Sequence, residues 1–406
     1  MRLEISGANF RPMPLAVPAP LTRNGVSSAA AADFDAAWML DLSASGIFQV
    51  LDRRSYLADA SEGLTAGSIQ FARWVDVGAD ALVKVQLSVD GDQLRGEARL
   101  FTVSTGREEL KVNESAPLSN PRALAHRFAD ALYRHLTHES GPFQSHLAFV
   151  KRSGKDREVW LSDWDGHNAR AIATEGINLL PAVVPGGEAV AYTSYRSGKP
   201  DLYVQRPGGA PVPLVRAGAM VTGIAYSPDG KRIAWAQSSG QGTQIWVANA
   251  DGSDKRQLTD TPYFINSSPS WSPDGRQITF VSDRAGNPQI YVMNADGTGV
   301  RRLTFQGNYN QTPDWSPRGD LIAFTARDER NAFDVFTVEV ETSKIRRITQ
   351  DQGNNEEPTF SPNGRLLMFT STRDGGQKLV VSTLDGKTQI VLPAPKGNYA
   401  TPDWAR

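Results

Sequence analysis

At 406 residues the chain is long enough for two or three domains, and an apolar content of 40% supplies material for buried cores. A formal net charge of −1 excludes bulk attraction to nucleic acid or to an anionic membrane, and no apolar run reaches the roughly 18 residues a membrane-spanning helix needs. With no cysteine, disulfides, zinc ribbons and thiol nucleophiles are excluded too.

The chain opens Met1-Arg-Leu-Glu-Ile without an apolar signal core, so it is expected to be cytosolic or to have lost a leader. Residues 3–5 and 14–17 read as short strands. Ser27 or Ser28 can cap a helix over 29–42 that ends near Gly46. A strand over 47–51 and a short helix over 68–75 follow. Residues 81–89, 93–102 and 108–114 form a meander, with Asp90-Gly91 as its first hairpin turn. A last helix over 121–138 carries Leu124, Phe128, Leu132 and Leu136 on one stripe. The region 1–140 is therefore expected to be an α/β domain whose helices cover a small sheet. His135 and His138 sit at helical spacing, but they suit the negative end of the helix dipole, and no third ligand accompanies them; no metal and no cofactor are expected. Asp90-Gly-Asp92 is a hairpin tip rather than a calcium loop.

From 141 to 406 one phrase recurs. Pro269 to Phe280 reads Pro-Ser-Trp-Ser-Pro-Asp-Gly-Arg-Gln-Ile-Thr-Phe, and variants place its second proline at Pro185, Pro228, Pro273, Pro317 and Pro362, 43–45 residues apart. That period, with four short strands per unit, predicts the blades of a β-propeller. In Ser-Pro-Asp-Gly, proline presets φ, Asp bonds its own backbone and Gly takes the left-handed position. The proline opening each first strand is expected at the strand's first residue, on an edge facing a central channel. Ala400-Thr-Pro-Asp-Trp404 is a first strand with nothing after it, and His146-Leu-Ala-Phe-Val150 a second strand with nothing before it. Joined, they complete a sixth blade and close the ring.

Hairpin turns are expected on one rim; the loops entering each first strand and joining second to third strands fall on the other. Five of the six entry loops carry an Asn ahead of the repeat's proline, and six such loops are expected to converge at the channel mouth as a ring of donors and acceptors. Asn is also simply a good turn residue. Arg284 and Arg373, beside Asp283 and Asp374, add charge to that rim. No Gly-x-Ser-x-Gly, P-loop, dinucleotide fingerprint or His-Glu-x-x-His occurs, and none of the five histidines falls in the rim loops. A non-enzyme is expected; a propeller hydrolase or lyase, or an adaptor with an unrelated partner, are the alternatives.

Ser-Pro-Asp-Gly-[Lys/Arg]-x-Ile and Gln-Ile-[Trp/Tyr]-Val-x-Asn-Ala-Asp-Gly, behind an α/β domain with Leu3-Glu-Ile5, Arg11-Pro12 and Gly46-Ile-Phe-Gln-Val-Leu-Asp52, resemble the TolB family over essentially the whole chain. The resemblance implies a monomeric periplasmic scaffold of the Tol–Pal envelope system. It implies that the lipoprotein Pal meets the rim around Asn178, Met220, Val221, Asn266, Ser267, Arg284, Asn310, Gln311, Asn355, Glu356, Arg373 and Tyr399. It also implies that TolA is met through an N-terminal strand containing Leu3, Glu4 and Ile5. Colicin translocation domains compete for the Pal site in some bacteria.

Overall fold

A computed structural model of the chain describes residues 10–59, 61–238, 240–393 and 397–405. The strand expected over 3–5 lies outside them. The chain divides into two compact units, Met1–Gln144 and Ser145–Arg406.

In the first unit a mixed sheet runs in the order Phe48–Val50, Met13–Ala16, Ala81–Asp90, Gln93–Thr102, Arg107–Pro117, with Leu21–Thr22 also pairing to Ala81–Asp90. The first pairings are parallel and the meander is antiparallel. Helix α1 (Ser28–Ala44) starts where the Ser27 hydroxyl accepts the N–H of Ala30, and α2 (Pro121–Thr137) where Asn120 accepts that of Ala123. His138 ends α2 in the left-handed conformation (φ 60°). The stripe of Leu124, Phe128, Leu132 and Leu136 is fully buried, and Phe128 meets Phe34 and Trp38 of α1 edge-on. Phe128 lies over Gly96 so closely that a β-carbon there would come within 2.7 Å of its ring, so only glycine lets the helix down onto the sheet. The expected helix over 68–75 is instead a 3₁₀ turn, Ala66–Ser68, followed by a short helix, Phe71–Asp76.

The second unit is a ring of six four-stranded antiparallel sheets. Blades one to five begin at Asn178, Val221, Asn266, Asn310 and Asn355. The sixth takes its first strand from the C-terminal segment Asn398–Ala405 and its other three from His146–Ser153, Asp156–Asp163 and Arg170–Ala173. Closure is reinforced by Trp404, which stacks on Trp164 at 5.6 Å and donates its indole N–H to Ser145 Oγ at 2.7 Å. Core clusters draw on neighbouring blades, as when Ala234 and Ile245 of the second meet Trp271 and Phe280 of the third. The blades thus bury their faces against one another, which is why the ring must close.

The repeat proline departs from expectation. It is the fourth residue of its strand in blades one, three, four and five, not the first. A bulge precedes it, and the residue at the bulge is left-handed in every blade: Leu180 (φ 52°), Gly223 (63°), Ser268 (52°), Thr312 (49°), Glu357 (59°) and Thr401 (47°). The unpaired residue lets proline sit where no ladder donor is required, and turns these six residues to the channel wall.

Candidate functional site

Strand pairing fixes which end of each blade faces which rim. Asn266 pairs with Ser282 and Trp271 with Ile278, so the entry loops and the loops between second and third strands share one rim. The Asp-Gly turns fall on the other. Asn178, Val221, Asn266, Asn310, Asn355 and Tyr399 take equivalent first-strand positions, judged by their place before the bulge. All six side chains are buried.

The asparagines are therefore not an open ring of donors at the mouth. They staple adjacent blades. Asn266 Nδ2 donates to Thr243 O (3.0 Å) and Gln244 Oε1 (3.1 Å) of the second blade, and to Thr261 Oγ1 (2.8 Å). Asn310 reaches Gln289 Oε1 at 2.9 Å, Asn355 reaches Asp334 Oδ1 at 3.1 Å, and Asn178 reaches Arg157 O at 3.1 Å. The same third-strand groups accept the threonines that end each Arg-x-Leu/Ile-Thr strand: Thr259 to Gln244 (2.8 Å), Thr304 to Gln289 (2.8 Å) and Thr349 to Asp334 (2.5 Å). Two motifs of the repeat thus converge on one buried network, as buried polar groups require.

The two arginines also turn inward. Arg284 donates to Ser282 Oγ (2.9 Å) and Asn266 Oδ1 (2.8 Å) and lies over the Tyr291 ring at 5.0 Å. Arg373 donates to Ser371 Oγ, Asn355 Oδ1 and Gln389 Oε1 and lies over Phe369. Burial pushes both guanidinium pKa values down. Ser267, Gln311 and Glu356, one residue on from the staples, are half-buried.

The rim also exposes large apolar side chains. The residue just before each staple is Ile177, Met220, Ile265, Tyr309, Asn354 and Asn398 in turn. Met220 is 56% exposed, Ile265 52% and Ile177 43%. Tyr263 (79%) and Phe264 precede Ile265, and Phe305 (67%) lies in the next entry loop. The segment is braced: Ile265 N–H donates to Asp283 Oδ1 at 2.7 Å, and Thr243 N–H to Phe264 O at 3.0 Å. Of these, only Met220 was among the residues singled out from sequence. The available signal was a run of large apolar residues, Tyr263-Phe-Ile265, in a loop between two amphipathic strands. Leu3, Glu4 and Ile5 lie outside the described residues.

The channel holds a cavity of about 410 Å³ lined by the bulge residues and prolines. Its wall carries three acids and, among the described residues, no base. Burial raises the carboxyl pKa of Asp314 to about 6 and of Asp403 to about 7, against hydrogen bonds that lower them. Asp314 accepts from Ser270 Oγ (3.1 Å) and Phe360 N–H (2.8 Å), and Asp403 from Val183 N–H (2.6 Å), so each acid ties its blade to a neighbour. Glu357, also raised by burial, accepts from Thr401 N–H at 2.7 Å. These carboxylates serve as inter-blade acceptors.

Residues 1–109 match the TolB amino-terminal domain and residues 133–406 the TolB beta propeller domain. The Tol-Pal system protein TolB of Myxococcus xanthus (strain DK1622) is 63% identical over 403 residues, 99% of this chain and 94% of the relative. That of Anaeromyxobacter dehalogenans (strain 2CP-C) is 49% identical over 99% of this chain and 93% of the relative. The crystal structure of TolB from Acinetobacter baumannii superposes with a TM-score of 0.84, covering 100% of this chain and 99% of that one at 24% identity, a likeness of fold. Both halves of the chain and its full-length relatives agree: it belongs to the TolB family of the Tol–Pal system.

Proposed function

We propose that the chain is a non-catalytic periplasmic scaffold of the Tol–Pal system that binds the lipoprotein Pal on the entry-loop rim. TolA is met through the N-terminal segment with Leu3, Glu4 and Ile5, and the chain acts as a monomer. Through these contacts it supports outer-membrane integrity and envelope constriction during division, and colicin translocation domains exploit the same rim. The reading draws on family membership, and its scaffold character on the lack, among the described residues of the rim loops, of any assembled nucleophile, base and oxyanion-stabilising set. Among the described residues, no helix is long and apolar enough to cross a membrane.

The observation that carries the rim assignment is the placement of exposed apolar side chains. Among the described residues of the propeller eleven large apolar side chains are exposed: Ile177, Tyr195, Met220, Tyr263, Phe264, Ile265 and Phe305 in loops of the entry rim, Leu180 on the channel wall, and Val212, Val300 and Val391 elsewhere. Such a concentration on a rigid frame marks a docking surface, with large side chains as its anchors. The arc formed by the first four blades supplies the apolar side chains, and the Asn354 and Asn398 positions supply a polar rim.

The test is capture of Pal from envelope extract by the wild type, Ile265→Arg and Met220→Arg. Both positions are open to solvent, so the variants should keep the wild-type melting temperature while losing about tenfold or more in affinity. Undiminished capture by both would remove Pal from this rim. Substitutions at Asn266 or Asn310 are unsuitable because they break the inter-blade staple.

A further inference from the structure

We propose a second binding site, on the opposite rim, for a small oxyanionic group, a phosphate or a carboxylate. It lies at the seam between the first and sixth blades, in a cavity of about 380 Å³ lined by His146, Arg170, Gly186, Gly187, Glu188 and Arg206.

One hairpin turn of the ring is irregular. In the second, third and fifth blades the hairpin after the first strand is closed by its own side chains. Asp229, Asp274 and Asn363 accept the N–H two residues on, from Lys231, Arg276 and Arg365. Ser227, Ser272 and Ser361 accept the N–H five residues on, from Arg232, Gln277 and Leu366. In the first blade Val184 stands in place of the serine and Gly186 in place of the acid. The N–H groups of Glu188 and Ala189 have therefore lost both side-chain acceptors, and Ala189 is buried. The backbone closures remain, Gly187 N–H to Val184 O and Val184 N–H to Ala189 O, each at 2.9 Å.

The two glycines are left-handed (φ 102° and 75°), and Gly187 makes room for a neighbour. A β-carbon on it would come within 2.4 Å of the His146 ring, so the turn and the imidazole are fitted together. The Arg170 side chain is exposed and forms no ion pair or hydrogen bond among the described residues, while Arg206 meets Glu188 at 3.2 Å with both side chains largely in solvent. An ion pair so exposed is weak and exchangeable, so Glu188 competes for Arg206 without neutralising the site. Two guanidiniums beside the Gly186–Glu188 backbone, where the Glu188 N–H lacks the side-chain acceptor of its counterparts, make a donor-rich wall. A planar or tetrahedral oxyanion suits it, since arginine forks match both shapes.

The test follows backbone amide resonances of the full chain during titration with inorganic phosphate and, separately, acetate, at constant ionic strength. The amides of Gly186, Gly187 and Glu188 are expected to shift saturably. Arg170→Ala should weaken the response by about tenfold, and Glu188→Gln should strengthen it by freeing Arg206. Both side chains are exposed, so unchanged spectra elsewhere verify the fold. A stronger phosphate response assigns a phosphate-bearing ligand, and a stronger acetate response a carboxylate-bearing one. Unmoved turn amides with both probes, or a response unchanged in Arg170→Ala, would overturn the proposal.

Discussion

An amide that bridges two sheets cannot be removed from one of them without stranding the groups it held on the other. Asn266→Ala leaves the Gln244 and Thr261 side chains short of a partner inside the protein, and should cost about 1–3 kcal/mol in urea unfolding. Met220→Ala, in the same class of loop but facing water, should stay within about 0.5 kcal/mol of wild type. The asparagines were legible as a repeat and lie at the entry-loop end as expected, but they are buried between blades, because turn propensity alone does not say that the strand begins three residues before the proline. Once the strand start is known, alternation sends Asn266 inward. At Asp403, the carboxyl pKa is raised to about 7 when folded, against an ordinary value of 3.8. The folded state therefore holds the proton more tightly, so this group's contribution is fully present below about pH 4 and is lost as pH rises through about 7. Asp403→Asn should flatten the fall in melting temperature between pH 5 and 8 (a range set by that shift, roughly). An unchanged slope would show that Asp403 ionises as freely as in the unfolded chain.

Regular strands explain most of the propeller, and their irregularities explain the channel. The six bulges were invisible in the sequence because a bulge is a fault in register between two strands, and register depends on the partner strand. Five of the six left-handed positions carry a side chain with a β-carbon, which local sterics disfavour, so the preference must be imposed by the paired strands on either side. The composite sixth blade was legible, by contrast, because each end of the repeat region holds an incomplete unit. A first strand without a second, and a second without a first, have one economical resolution. The pairing of Asn398 with Arg152 through Ala405 with His146 is that resolution in atomic terms. The short helix after residue 65 was less legible: Gly67 interrupts the helical pattern, and the chain answers with a 3₁₀ turn before the helix resumes at Phe71.

Each of the two units has its own interior. Trp38, Phe34 and Phe128 pack together in the first unit, and clusters spanning neighbouring blades pack in the second. Foldability at this scale follows from where apolar area is buried, so the propeller should not depend on the first unit for its core. The entry-loop rim is likewise built wholly from propeller residues, from Ile177 round to Asn398. If that rim is the Pal site, residues 145–406 alone should fold, give a β-rich circular dichroism spectrum, and bind Pal with a dissociation constant within about threefold of the full chain. Retained folding with binding lost would show that the N-terminal unit contributes part of the surface or holds it in the binding state. A folded, fully binding propeller would restrict the first unit to other contacts, among them the one proposed for Leu3, Glu4 and Ile5.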